Sequence, residues 1–190
     1  MKKLLLLFLP AAYLFSCAEK PDPVVKNIPG IVLSSDPELR FQNGILYYGK
    51  GLFSGNTLEK YPGGVIKSKA SFRDGKENGI TETFYENGKK ETARFYTAGE
   101  KDSIHRGWWP GGQRKFEYHF KNGNYEGSFT EWYANGQMNQ QIIYTNGREI
   151  SGKGWRENGK PYMNFYWRGN RRYGLVNPNM CYGVEKGKVK

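Results

Sequence analysis

Tight-turn glycines return through this chain every 24 residues, and that recurrence limits its possible folds more than any other feature. One series runs Tyr61-Pro-Gly-Gly64, Tyr85-Glu-Asn-Gly88, Trp109-Pro-Gly-Gly112, Tyr133-Ala-Asn-Gly136 and Arg156-Glu-Asn-Gly159, with steps of 24, 24, 24 and 23 between the final glycines. A second interleaves with it: Phe72-Arg-Asp-Gly75, Tyr96-Thr-Ala-Gly99, Phe120-Lys-Asn-Gly123, Tyr144-Thr-Asn-Gly147 and Tyr166-Trp-Arg-Gly169, stepping by 24, 24, 24 and 22. Asn-Gly marks a hairpin because both central residues of a type I′ turn need φ > 0. Successive turn glycines lie ten to thirteen residues apart, room for one strand and its turn. Each repeat then holds two strands and two turns, an antiparallel meander. Frequent Gly opposes helix, while Tyr, Thr, Phe and Trp suit strands. A lone hairpin cannot bury an apolar face, so the units must stack on their neighbours. The expected fold is all-β, an elongated antiparallel meander of about five stacked β-hairpin repeats of 24 residues. Ten strands at ~4.8 Å would span roughly 50 Å. Atypical end units are expected: Phe41-Gln-Asn-Gly44 precedes Tyr48-Gly-Lys-Gly51 by seven residues, and the last unit is shortened.

Composition matters here for one reason. After residue 16, Leu, Ile, Val and Phe account for 31 of 174 residues, below the ~20% at which disorder becomes a serious expectation. Aromatic side chains offset this, at 16% of the whole chain, since each can bury ~150–250 Å². Their regular placement also argues for order.

The aromatic residues fall into columns. Lys60, Phe84, Trp108, Trp132 and Trp155 form one, and Tyr61, Tyr85, Trp109, Tyr133 and Arg156 the next. Adjacent strand residues point to opposite faces, so the two columns should lie on opposite sides of the sheet. A third column, Phe72, Tyr96, Phe120 and Tyr144, belongs to the second strand of each unit. All three could be structural ladders. Alternatively, Trp108, Trp132 and Trp155, flanked by Arg106 and Lys153, form a ligand-binding face for an acidic or hydroxyl-rich partner.

The sequence Y-x-N-G, followed by an aromatic-x-x-G and a strand such as Gly127-Ser-Phe-Thr-Glu-Trp-Tyr, resembles MORN-variant repeats, closest to the bacterial set named after the YwqK antitoxin. The resemblance covers roughly residues 41–170. It implies successive antiparallel hairpins used as a generic binding surface.

The chain begins MKKLLLLFLPAAYLFSC, with Lys2 and Lys3, an apolar run over Leu4–Leu14, and Ser16 before Cys17. That is the layout of a secretory signal peptide, too short to span a bilayer comfortably. Leu14-Phe15-Ser16-Cys17 resembles a bacterial lipobox, which implies cleavage before Cys17 and acylation of that cysteine. An ordinary signal peptide with an incidental cysteine is the alternative. Pro21, Pro23, Pro29 and Pro37 make the next segment extended and unsuited to helix or central strand. The expected organisation is a signal peptide at 1–16, a lipidated cysteine and Pro-rich tether at 17–40, repeats at 41–170, and a cap or tail at 171–190. The only other cysteine, Cys181, reads as a small buried residue of that cap, although a reactive thiol is also open. Such a protein would face the periplasm or the exterior, anchored in the membrane of a bacterial envelope.

Loss of residues 1–16 would remove Lys2 and Lys3 and take the net charge from +11 to +9. Positive charge suits a protein with an acidic patch, an acidic glycan or an anionic lipid head group. It is scattered rather than clustered, and an envelope protein rarely meets nucleic acid, so no nucleic-acid partner is expected. Enzyme signals are thin. His105 and His119 have no ligand spacing around them, so no metal site is expected, and no cofactor. Gly44-Ile-Leu-Tyr-Tyr-Gly49-Lys50 mimics half a P-loop but continues with Gly51. No G-x-S-x-G is present. A non-enzymatic envelope lipoprotein with a binding or scaffolding sheet is the first reading. An antitoxin or immunity protein covering a toxin is the second. A cell-wall glycan-binding module is the third, because Gly154-Trp-Arg-Glu-Asn-Gly159-Lys-Pro-Tyr162 resembles one unit of the choline-binding wall repeats.

Overall fold

The computed structural model describes residues 25–175. They form one open sheet of fifteen strands. In chain order these are β1 (Val25–Leu33), β2 (Leu39–Gln42), β3 (Ile45–Tyr48), β4 (Gly51–Lys60), β5 (Ile66–Arg73), β6 (Lys76–Glu77), β7 (Gly79–Phe84) and β8 (Lys90–Thr97), followed by β9 (Glu100–Trp108), β10 (Arg114–Lys121), β11 (Asn124–Trp132), β12 (Met138–Thr145), β13 (Arg148–Trp155), β14 (Pro161–Arg168) and β15 (Arg171–Leu175). From β7 to β15 every strand pairs antiparallel with the next. The meander implied by the turn spacing is the fold. It has more strands than ten because β1, β2, β3 and β15 add to its ends and the short β6 stands apart from β7.

The N-terminal end departs from the hairpin rule. Strand β1 pairs parallel with β4, from Val25↔Leu52 to Leu33↔Leu58. Leu52 also partners Tyr47 of β3, so β1 and β3 flank β4 on opposite sides. Part of the segment read as tether (17–40) is therefore in the sheet. Pro29 permits this because it lies where the register breaks, between Asn27 and Ile31. A proline at a bulge of an edge strand removes no ladder hydrogen bond. The sheet likewise continues past residue 170, since β15 pairs with β14. The stretch read as a signal peptide (1–16), Cys17 and Cys181 lie outside the described residues.

The two turn series are two different devices. Asp74-Gly75, Ala98-Gly99, Asn122-Gly123 and Asn146-Gly147 have φ near +50° and then +74° to +87°. Two consecutive positive φ values are the signature of type I′. In the other series only the glycine has positive φ, as at Gly88 (+77°) and Gly136 (+86°). There the Gly88 N–H donates to the Tyr85 carbonyl at 2.9 Å, and the Lys89 N–H to Asn87 Oδ1 at 3.0 Å. Asn87 thus closes an Asx turn rather than adopting φ > 0. A one-residue register shift sits beside each such turn, for example between Thr83 and Phe84 or Glu131 and Trp132. Further shifts fall at Ala93/Phe95 and Tyr118/Phe120. Bulges of this kind raise local twist.

One face of the sheet is packed by its own aromatic rings. Phe53 is fully buried, with Phe72 edge-on at 6.0 Å and Val32 and Leu46 in the same cluster. A file of rings follows: Tyr96 to His105 at 5.4 Å, His105 to Phe120 at 4.6 Å, Phe120 to Tyr125 at 4.7 Å and Tyr125 to Tyr144 at 4.9 Å. Ile142, Met163 and Phe165 close the far end. Glycines make room for these rings. An ideal Cβ on Gly107 would lie 2.1 Å from the Phe116 ring, and one on Gly152 2.5 Å from the Phe165 ring.

The Tyr61 column stitches one unit to the next. Tyr61 Oη donates to the Phe84 carbonyl at 2.9 Å, Tyr85 Oη to Trp108 at 2.8 Å, Trp109 Nε1 to Trp132 at 3.1 Å and Tyr133 Oη to Trp155 at 3.0 Å. Each bond reaches the carbonyl at the strand end one repeat later, where the bulge interrupts the ladder. This column and that of Phe72, Tyr96, Phe120 and Tyr144 are structural.

Candidate functional site

The remaining column is on the other face. Strand alternation puts Trp108, Trp132 and Trp155 opposite the ring-packed side, each two residues beyond Arg106, Thr130 and Lys153 on β9, β11 and β13. Arg106, Glu117, Thr130, Gln141, Lys153 and Asn164 are successive cross-strand partners and form one hydrophilic row beside the tryptophans. The sheet therefore brings Trp108, Trp132, Trp155, Arg106 and Lys153 onto one surface. All three indoles are half-buried, neither sealed in a core nor standing free.

Electrostatics divides this surface in two. Over β9 to β11 the charges are satisfied internally. Arg106 Nε donates to Glu117 at 2.9 Å and Arg114 Nη1 to the same carboxylate at 3.2 Å, while His119 Nε2 lies 3.4 Å from its other oxygen. Burial pushes the Glu117 carboxyl up, but the Arg106 and His119 hydrogen bonds and the Arg106 and Arg114 charges outweigh it, leaving it below its ordinary range. Arg114 also lies over the Trp132 ring at 5.5 Å, and Lys90 over Trp108 at 6.0 Å. Trp132 and Trp108 thus already carry intramolecular cations. Over β12 to β14 the situation reverses. Lys153 is exposed and, among the described residues, makes no ion pair. Around it Gln141, Ile143, Ser151, Asn164 and Tyr166 line a groove of about 380 Å³.

Tyr166 reaches this groove through a slip in the repeat. In four units the glycine comes second in the two-residue turn, so the residue two before the turn is Phe72, Tyr96, Phe120 or Tyr144. In the last unit Arg168 pairs with Arg171, and Gly169 comes first, with φ +58°. Counting back two now gives Trp167, which packs against the Ile142–Met163–Phe165 cluster. A one-residue slip moves a side chain to the other face. Tyr166, the apparent equivalent of Tyr144, is accordingly 54% exposed and stacks on Tyr173 with ring centroids 5.5 Å apart. Sequence reasoning missed Tyr166, Tyr173, Glu117 and Asn164. The step of 22 residues before Gly169 was the available signal for the first.

His105 and Tyr118 are tied into the fold by their hydrogen bonds. His105 is 2% exposed, with Nε2 2.7 Å from the Phe95 carbonyl. Burial lowers its pKa, Arg94 and Lys101 lower it further, and contacts with the Phe95 and Asp102 backbone offset part of the shift. Tyr118 Oη donates to Glu131 at 2.6 Å, and burial together with that carboxylate raises its pKa. The stretch 44–50 lies in β3 and its turns, with no helix after it.

Residues 77–98 and 125–146 match the MORN repeat variant family. Each match spans one hairpin, β7 with β8 and β11 with β12, from a bulge glycine to a type I′ turn. No curated protein matches the chain at a significant level.

Proposed function

We propose that this chain is a non-enzymatic binding or scaffolding module of the bacterial cell envelope, held at the membrane through lipid on Cys17 and working through the face that carries Trp108, Trp132 and Trp155. The observation that carries the reading is the division of labour between the two faces. Two aromatic columns lie on one side, where they pack as a file of rings or bond from repeat to repeat. The third, with the hydrophilic row from Arg106 to Asn164, is on the opposite side, where the indoles are half-buried and Lys153 and Asn164 are exposed. An aromatic-rich, hydrophilic surface repeated at fixed spacing suits an extended partner held by many weak contacts. Crosslinking in intact cells followed by affinity capture tests this. Wild-type protein should capture a discrete partner that Trp132→Ala loses, at equal levels of folded protein. Unchanged capture by Trp132→Ala would refute the working face. Recovery of a cytoplasmic toxin would replace the envelope reading by the antitoxin one.

A further inference from the structure

We propose that the groove over β12, β13 and β14 is a subsite for an anionic oligosaccharide, a short glycan bearing carboxylates. This rests on the binding-module reading and names the ligand class for its C-terminal part.

Four observations converge on it. The first is the pair of exposed tyrosines, Tyr166 and Tyr173 at 54% and 40%, with planes 15° apart. The shortened last unit puts Tyr166 on this face, whereas the equivalent ring of every earlier unit is packed on the other. Flat, rigid aromatic faces suit the C–H-rich face of a pyranose, whose positive hydrogens meet the negative face of the ring. The second is the floor of the groove. Gln141, Lys153 and Asn164 are side by side on adjacent strands, and Ser151 is two residues from Lys153. Amide, ammonium and hydroxyl groups at ~4.8 Å spacing present donors and acceptors at intervals that match a row of sugar hydroxyls. Apart from a 3.4 Å contact from Gln141 Nε2 to Thr130, these four side chains make no hydrogen bond among the described residues.

The third observation concerns length. Tyr166, opposite Ser151, lines one end of the groove, and Trp155, outside its lining, is the next aromatic ring along this face of β13. Four residues of strand separate them, roughly 13 Å. That fits an oligosaccharide rather than a single sugar, and a groove of about 380 Å³ lies within the ~300–1,000 Å³ of ordinary ligand sites. The fourth is charge. Arg106 and Arg114 are committed to Glu117, whereas Lys153 makes no ion pair among the described residues. An unopposed ammonium at the centre of a row of neutral donors selects a carboxylate over a neutral sugar. A protein loop would gain little from such a row, which lacks a deep apolar pocket for an anchor residue.

Calorimetric titration of the purified full chain with tetragalacturonate, and with maltotetraose as the neutral probe, tests this. Wild type should bind the acidic tetrasaccharide. Tyr166→Ala should weaken it by about tenfold or more. Lys153→Gln should bring the acidic and neutral probes to within a few-fold of each other. Both residues are exposed, so both variants should fold, which matching circular dichroism spectra confirm. No heat with wild type, equal affinity for both probes, or acidic binding unaffected by either substitution would each overturn the proposal. If tetragalacturonate fails while Trp132-dependent capture of a protein persists, this inference falls and the binding-module reading stands. If both fail, so does the reading beneath it.

Discussion

Gly152 shows how a single atom would disturb this sheet. Its absent Cβ leaves the space occupied by Phe165, whose ring is 2% exposed. Gly152→Ala should cost ~1–3 kcal/mol through overpacking, read as a lower urea midpoint with unchanged slope. Gly136 behaves differently: nothing lies within 4 Å of a Cβ there, but its φ is +86°. Gly136→Val should destabilise well beyond the ~0.5 kcal/mol scatter of surface changes through backbone strain alone. The turn glycines were legible in the sequence because turn chemistry is local. Gly107 and Gly152 were not, since their reason is a ring from a neighbouring strand. His105 gives a pH signature at the same scale. Its folded pKa lies below 6.5, so the unfolded chain binds the proton first as pH falls. The stability due to neutral His105 is complete above the unfolded value of ~6.5 and is lost as pH drops from there through the folded pKa. Urea melts across this range should show that loss, and His105→Phe should flatten it.

The hairpin is the element that repeats, and the bond from Tyr61, Tyr85, Trp109 or Tyr133 into the next unit defines its spacing. Tyr85→Phe removes one such bond and leaves the Trp108 carbonyl without it. The expected cost is ~0.5–1.5 kcal/mol. Tyr85→Phe and Tyr133→Phe are two repeats apart and should add within ~0.5 kcal/mol, as distant sites do. A double-mutant cycle by chemical denaturation measures both numbers. Antiparallel pairing within the repeats and the 24-residue unit were readable from spacing, whereas the full count of fifteen strands was not. Which aromatic column packs was not, because alternation assigns residues to opposite faces without saying which face is covered. Parallel β1 was also hidden. Its partner β4 is remote in sequence, and four prolines in residues 17–40 pointed away from strand. The flip of Tyr166 was half-visible: the step of 22 was plain, but its consequence depended on whether the glycine came first or second in the turn.

For the whole molecule, the sheet is asymmetric. One face holds the array together through ring clusters and inter-repeat bonds. The other carries half-buried indoles, a hydrophilic row and a groove at its C-terminal end. If Cys17 is the anchor, Cys17→Ala should leave the detergent phase on partitioning while wild type stays there, and equal partitioning would rule the anchor out. Anchoring needs more than one acyl chain, since a single chain binds only marginally. The central claim is that the two faces do different work, and one equilibrium unfolding comparison tests it most directly. Phe165→Ala should cost ~3–5 kcal/mol as a core truncation. Trp132→Ala, on the open face, should cost less than half as much despite removing the larger side chain. Equal losses would mean that the tryptophan column is core, and the face assigned to a partner would instead be part of what holds the protein together.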